Sequence, residues 1–295
     1  MRYRDAAAFR QALEQRLLAR AAGDVARLSR DRKRVAFDRL LARLNETATG
    51  HWLLKGGFAL DLRLSERARF TRDVDIDWQV AEEELLDSLI EAAALATEDY
   101  FTFQVERTST PPERLGGSHR FRVNASLAGR LFETFLLDVA LPSDPVTEHD
   151  TLTTPDLLAF AGIDSVEVPA APLERHIAEK LHAYTRRYGD DQPSSRAKDL
   201  IDIVLMSELA SYNFNRLRES IAGLFEARAT HDLPSSLPAP PREWAVPYRA
   251  LAEEVGLDSD LSVGHRRAAA FLGPVLVAQS GLVRWDPEML QWRQT

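Results

Sequence analysis

The 295-residue chain is 45% hydrophobic and 28% charged, ordinary for a folded globular protein, and its length suits two cores better than one. A formal net charge of −8 excludes a protein that coats nucleic acid through its whole surface. The lack of cysteine excludes disulfides and thiolate zinc sites, and no apolar run approaches the roughly 18–20 residues needed to cross a bilayer. The N-terminus, MRYRDAAAFRQALEQRLLARAAG, carries arginines but no uninterrupted apolar stretch, so it reads as a helix and not as a secretory signal. A cytoplasmic location is the expectation.

In chain order, residues 4–22 and 25–46 read as two helices parted by Ala22-Gly23-Asp24, with Asp24 as N-cap of the second. The basic run Arg27 to Arg34 reads as a solvated helix face. A short apolar strand, His51 to Leu54, leads through Lys55-Gly56-Gly57 into a brief helix, Phe58 to Leu64. The segment Arg72 to Val80 alternates apolar and polar residues and is a strand. A helix is expected at 81–97, then strands at Tyr100–Arg107, Arg120–Ala125 and Leu131–Leu141. The order indicates an α/β or α+β unit: a small mixed sheet with N-terminal helices. Pro142 to Pro155 reads as a linker, and the remainder as helical, at 153–161, 172–188, 195–210, 213–228, 243–255 and 261–281. Two domains follow, 1–150 with the sheet and 151–295 mostly helical.

The chemistry concentrates in Asp73-Val74-Asp75-Ile76-Asp77. Successive strand side chains point to opposite faces, so the three acids share one face while Val74, Ile76 and Trp78 pack on a core. Carboxylates at alternate positions lie only about 7 Å apart and repel unless neutralised. A divalent cation such as Mg²⁺ or Mn²⁺ neutralises them, taking one or two carboxylates plus phosphate oxygens. Upstream, Gly56 and Gly57 let a phosphate approach the backbone at a helix N-terminus. Asp138, inside the apolar run FETFLLDVAL, requires an ion partner or a metal, and beside the first acids it would complete a two-metal site.

These residues resemble the DNA polymerase β-type nucleotidyltransferases. More narrowly, LLKGGFALDLRLSERARFTRDVDID, HIAEKLHAYTRR, RAKDLIDIVLM and LFEARATHDLP resemble the AbiEii group of toxin–antitoxin nucleotidyltransferase toxins, which includes MenT-type tRNA-modifying toxins. The matching blocks span about three-fifths of the chain, residues 52–232. The resemblance implies a nucleotidyltransferase fold, a nucleoside triphosphate substrate, transfer to the 3′ end of tRNA and a cognate antitoxin. It places the metal-binding acids on Asp73 and Asp75 behind Thr71 and Arg72, although Asp75 with Asp77 satisfies the general pattern equally. It also points to Lys180 and Asp202, with Asp199 one turn earlier.

The residues themselves bear on these assignments. Lys180 sits about 60° from the apolar centre of its helix, where a lysine either snorkels or meets phosphate. Asp202 lies four residues after Lys198, so an ordinary intrahelical ion pair is the competing reading. His182 is structural. Lys55, the Gly56 and Gly57 amides and Lys180 would neutralise phosphate charge, and Asp138 would lie nearest the attacking hydroxyl. Arg186, Arg187, Arg196 and Lys198 are the basic groups expected to hold an RNA backbone. Two other readings share the metal site: transfer to a protein or small molecule, and nucleotide binding without turnover.

Overall fold

A computed structural model of the chain describes residues 2–108, 118–141, 148–188, 192–193 and 196–294. They group into two units, Met1–Ser65 with Phe70–Ala171, and Glu66–Arg69 with Pro172–Thr295.

The first unit opens with helices α1 (Ala6–Ala21) and α2 (Val25–Thr47). Asp24 is the N-cap of α2, accepting from the backbone N–H groups of Ala26 and Arg27 at 2.8 and 3.1 Å. Phe9, Leu13 and Leu17 bury one face of α1, and Val35, Phe37, Leu40, Leu41 and Leu44 bury α2 in the same core. The basic run at the start of α2 departs from the solvated face expected of it. Arg34 is buried and grips Asp61 through two bonds of 2.7 and 2.9 Å, while Lys33 reaches Glu133 at 3.1 Å. Charge here docks the helix.

Behind α2 lies one mixed seven-stranded sheet. Its strands are β1 (Trp52–Lys55), β2 (Asp73–Trp78), β3 (Phe101–Arg107), β4 (Ser118–Leu127), β5 (Arg130–Ala140), β6 (Asp150–Thr153) and β7 (Glu167–Ala170). Their spatial order is β3-β4-β5-β2-β1-β7-β6. The β2–β5 and β1–β7 pairs are parallel and the others antiparallel. Helix α3 (Gly56–Leu64) follows β1 directly, and α4 (Leu85–Ala94) follows β2 after a short 3₁₀ turn at Glu82–Glu84. Ala128 and Gly129, at φ 53° and 71°, join β4 to β5 in a two-residue hairpin whose handedness matches strand twist.

The domain boundary differs from the one read at 150/151. β6 and β7 add two strands beside β1, so the first unit runs to Ala171. Of the expected helix at 153–161 only a 3₁₀ turn, Ala159–Ala161, forms. Residues 142–147 of the expected linker lie outside the described residues.

The second unit contains helices α5 (Leu173–Thr185), α6 (Ala197–Leu209), α7 (Phe214–Arg228), α8 (Ala245–Val255) and α9 (Leu261–Leu276). A two-residue strand pair, β8 (Arg187–Tyr188) and β9 (Gln192–Pro193), lies between α5 and α6. Beyond α9 the expected helix to 281 gives way to a hairpin, β10 (Leu282–Asp286) and β11 (Gln291–Gln294). Trp285 and Trp292 of that hairpin pack on Phe271 of α9 at ring distances of 4.8 and 6.0 Å. No helix among the described residues is long and apolar enough to cross a membrane.

Candidate active site

Strand register arranges the candidate residues of the first unit. Asp75 of β2 lies opposite Lys55 of β1 on one side and Asp138 of β5 on the other, and Asp138 lies opposite Arg120 of β4. Four charged residues therefore form one row across four adjacent strands, in the order Arg120, Asp138, Asp75, Lys55. The alternate face of β2 is apolar, with Val74, Ile76 and Trp78 buried in the core. Alternation thus does two jobs: it anchors the strand and it turns Asp73, Asp75 and Asp77 together.

Burial separates these acids. Asp75, Asp77 and Asp138 are 7%, 1% and 4% exposed, whereas Asp73 is half-buried at the start of β2. Asp77 forms an ion pair with Lys55, itself 3% exposed. Lys55 therefore neutralises a carboxylate of its own sheet. The pair engages one member of the acidic face, and Lys55 also lies opposite Asp75 in the β1–β2 register. Asp138 receives the Arg120 guanidinium through both oxygens, at 2.7 and 2.8 Å. The ion partner that its burial demanded is an arginine, which the strand pattern alone did not reveal.

The glycines act as expected at close range. Gly56 has φ +67°, and a Cβ there would lie 2.0 Å from Asp75 Oδ2. The Asp75 carboxylate thus sits against the first residue of α3, at the positive end of its dipole, through space only glycine leaves. Gly57 follows, also buried. Thr71 donates its hydroxyl to the Asp73 carbonyl at 3.2 Å, and Arg72 is exposed.

Among the described residues, no group of three or more His, Cys, Asp or Glu is placed to hold a metal ion, so the expected trio of Asp73, Asp75 and Asp138 does not converge. Asp73 and Asp75 alone still fit Mg²⁺ or Mn²⁺. They are hard oxygen donors at alternate positions of one strand face, and such ions take one or two carboxylates with phosphate and water completing the shell.

In the second unit, Lys180 of α5 is buried, with Nζ 2.7 Å from Asp202 and 3.4 Å from Asp199. It does not snorkel. Asp202 is also held through both oxygens by Arg69, at 2.8 and 2.9 Å. Burial works to raise the Asp202 carboxyl, but Lys180 and Arg69 outweigh it and hold it well below the usual carboxylate range. The intrahelical Lys198–Asp202 pair is not the one formed. Arg196 instead reaches Asp199, Nε to carboxylate at 2.9 Å. Cations and acids therefore alternate along Arg69, Asp202, Lys180, Asp199 and Arg196. Lys198 is exposed, yet the packed protein around it, then Arg196, Arg69 and Lys180, lower its pKa. Arg186 is half-buried, and the side chain of Arg187 lies outside the described residues. His182 is neutral and structural: burial first, then Arg228, lower its pKa to about 3, and its Nε2 pairs with the Thr230 hydroxyl at 2.8 Å.

A family model described as "Nucleotidyl transferase AbiEii toxin, Type IV TA system" matches residues 39–272. The chain belongs to the AbiEii family. Among solved structures this AbiEii chain is similar to MenT4, a nucleotidyltransferase toxin from Mycobacterium tuberculosis H37Rv, at 20% identity and TM-score 0.58, covering 90% of this chain and 98% of that one. That likeness shows the fold: a mixed α/β nucleotidyltransferase-toxin architecture. JHP933 from Helicobacter pylori follows at 17% identity and TM-score 0.48, covering 88% and 96% of the two chains. An antigenic nucleotidyltransferase-like protein from Paracoccidioides brasiliensis gives 21% identity and TM-score 0.44, covering 68% and 90%. No curated protein matches the AbiEii chain in sequence.

Sequence reasoning missed two residues of this AbiEii chain, Arg120 beside Asp138 in the first unit and Arg69 beside Asp202 in the second. Arg120 occupies an alternating strand beside His119 and Phe121, and only the register with Asp138 shows its role. Arg69 is separated from Asp202 by 133 positions, beyond any local pattern.

Proposed function

We propose that the protein is a metal-dependent nucleotidyltransferase toxin that transfers nucleotides from a nucleoside triphosphate to the 3′ end of tRNA, blocking translation until a cognate antitoxin intervenes. The observation that carries the chemistry is Asp75, a buried carboxylate facing Gly56 at the head of α3, with Asp73 on the same strand face. Asp73 and Asp75 would hold the divalent ion, which when bound neutralises and orients the triphosphate. The Gly56 and Gly57 backbone permits close approach of phosphate, and Thr71 fixes the turn that delivers Asp73. Lys55 pairs with Asp77, which lessens repulsion along the acidic face.

The acceptor hydroxyl attacks the α-phosphorus and gives up its proton to solvent, a new P–O ester bond forms, and the bond to the bridging oxygen breaks as pyrophosphate departs. Lys180 is a lysine proposed for phosphate. Asp202 and Asp199 hold its ammonium in place. Support for tRNA as acceptor comes from the likeness of HIAEKLHAYTRR and RAKDLIDIVLM to MenT-type toxins. Arg186, Arg187, Arg196 and Lys198 are the proposed backbone contacts.

The test is incubation of the protein with each α-labelled triphosphate, Mg²⁺ and total RNA, followed by a denaturing gel. Label entering tRNA-sized bands, and absent with Asp75→Asn, is the expected result. Label that enters only protein, or none at all, would refute the acceptor or the turnover respectively.

A further inference from the structure

We infer that Arg120 closes Asp138 to metal, so that the site takes a single divalent ion per bound triphosphate and a fixed guanidinium stands where a two-ion site would have its second cation. This rests on the metal-dependent reading given above. Three observations converge on it. Arg120 and Asp138 lie directly opposite on β4 and β5, so no backbone shift is needed for them to meet. The guanidinium engages both Asp138 oxygens at 2.7 and 2.8 Å, the fork geometry that occupies the side of the carboxylate facing it with one bond to each oxygen. Finally, no three acids among the described residues are placed to share an ion, although Asp138 lies in register with Asp75.

The physical reason for the exclusion is electrostatic and geometric together. A divalent ion shared by Asp75 and Asp138 would have to displace a guanidinium from a carboxylate only 4% exposed. The displaced arginine would then face the incoming dication at close range. The row Arg120, Asp138, Asp75, Lys55 already carries two positive and two negative formal charges. One added ion on Asp75 and Asp73 is matched by the triphosphate. A second has no carboxylate left to it in this row. Asp138 is accordingly a positioning residue that holds Arg120 and takes no proton from the acceptor.

The experiment counts ions in the full chain. Mn²⁺ is titrated into protein carrying one equivalent of a non-hydrolysable triphosphate analogue, and free Mn²⁺ is read by electron paramagnetic resonance. One bound ion per chain is expected, and Asp75→Asn should weaken it at least tenfold. The paired variant Arg120→Gln with Asp138→Asn keeps two groups able to hydrogen-bond while removing both charges. It should retain one ion with affinity within about threefold. Two ions per chain in the unmodified protein would overturn the inference and leave the metal-dependent reading standing. So would a tenfold loss of Mn²⁺ affinity in the paired variant. No bound ion at all would overturn both. Because the unmodified protein alone gives the count, misfolding of a variant leaves the test decisive.

Discussion

Asp75 and Asp77 stand two positions apart on one strand face, yet the same isosteric change has opposite consequences at each. Asp75→Asn should reduce nucleotide transfer by more than the roughly 10–100-fold typical of changes in groups behind a metal ligand, with little change in melting temperature. Asp77→Asn instead removes one charge of a buried ion pair, and loss of one member of such a pair costs about 3–5 kcal/mol of stability. Denaturant midpoints and transfer rates measured on both variants check the pair. A stable, inactive Asp77→Asn beside an active Asp73→Asn would move the metal pair to Asp75 and Asp77. At Lys180, replacement by alanine should weaken triphosphate binding by about 1.5–3 kcal/mol while nucleoside binding is unchanged. Calorimetric titration with both ligands checks this. The fold should survive, since Arg69 still neutralises Asp202. His182 gives a pH signature. Its folded pKa, about 3, lies below the ordinary value of 6.5, so the unfolded chain takes up a proton first. Its contribution to stability is complete above pH 6.5 and is lost as pH falls toward 3, with a slope of at most about 1.4 kcal/mol per pH unit. His182→Gln should flatten that limb in urea melts taken from pH 7 to 4.

The junction of β1 with α3 is where an element depends on a single missing side chain. Gly56→Ala places a methyl against the Asp75 carboxylate and forces alanine to φ +67°. Both stability and Mn²⁺ affinity should fall, the backbone term alone by about 1 kcal/mol. At the β4–β5 hairpin the reverse gain is available. Ala128 sits at φ 53°, a conformation asparagine adopts readily, so Ala128→Asn should raise stability by about 0.5–1 kcal/mol in thermal melts. Elements with a strong period were legible in the sequence: α2 with its Asp24 cap, β2 with its alternating acids, and β5 with its apolar run. β6 and β7 were not, because four residues apiece show too little alternation to outweigh the prolines and threonines around them. The site was legible to the same depth. Asp73, Asp75 and Gly56 announce themselves through local pattern. Arg120 and Lys55 acquire their partners only through strand register, and Arg69 only through long-range packing.

For the molecule as a whole, the proposed RNA acceptor must be reconciled with acidity, since a net charge of −8 opposes polyanion association except where cations are concentrated. Arg186→Glu with Arg187→Glu should weaken binding of all RNA sequences alike and flatten the dependence of log affinity on log salt, while triphosphate affinity persists. Filter binding across a salt series checks it, and an unchanged slope would send the RNA contact elsewhere.

The four residues Glu66–Arg69 belong with the second unit, although the chain before and after them belongs to the first. The second unit is therefore discontinuous, and no single scission yields it whole. A fragment beginning at Pro172 would carry Asp202 buried beside Lys180 but without the guanidinium of Arg69, and Glu208 without that of Arg67. Gene dissection at that boundary should give an aggregation-prone or partly folded product. Supplying the missing strap in trans, as a short peptide containing Arg67 and Arg69, would be a direct measure of how much the excised helices lack.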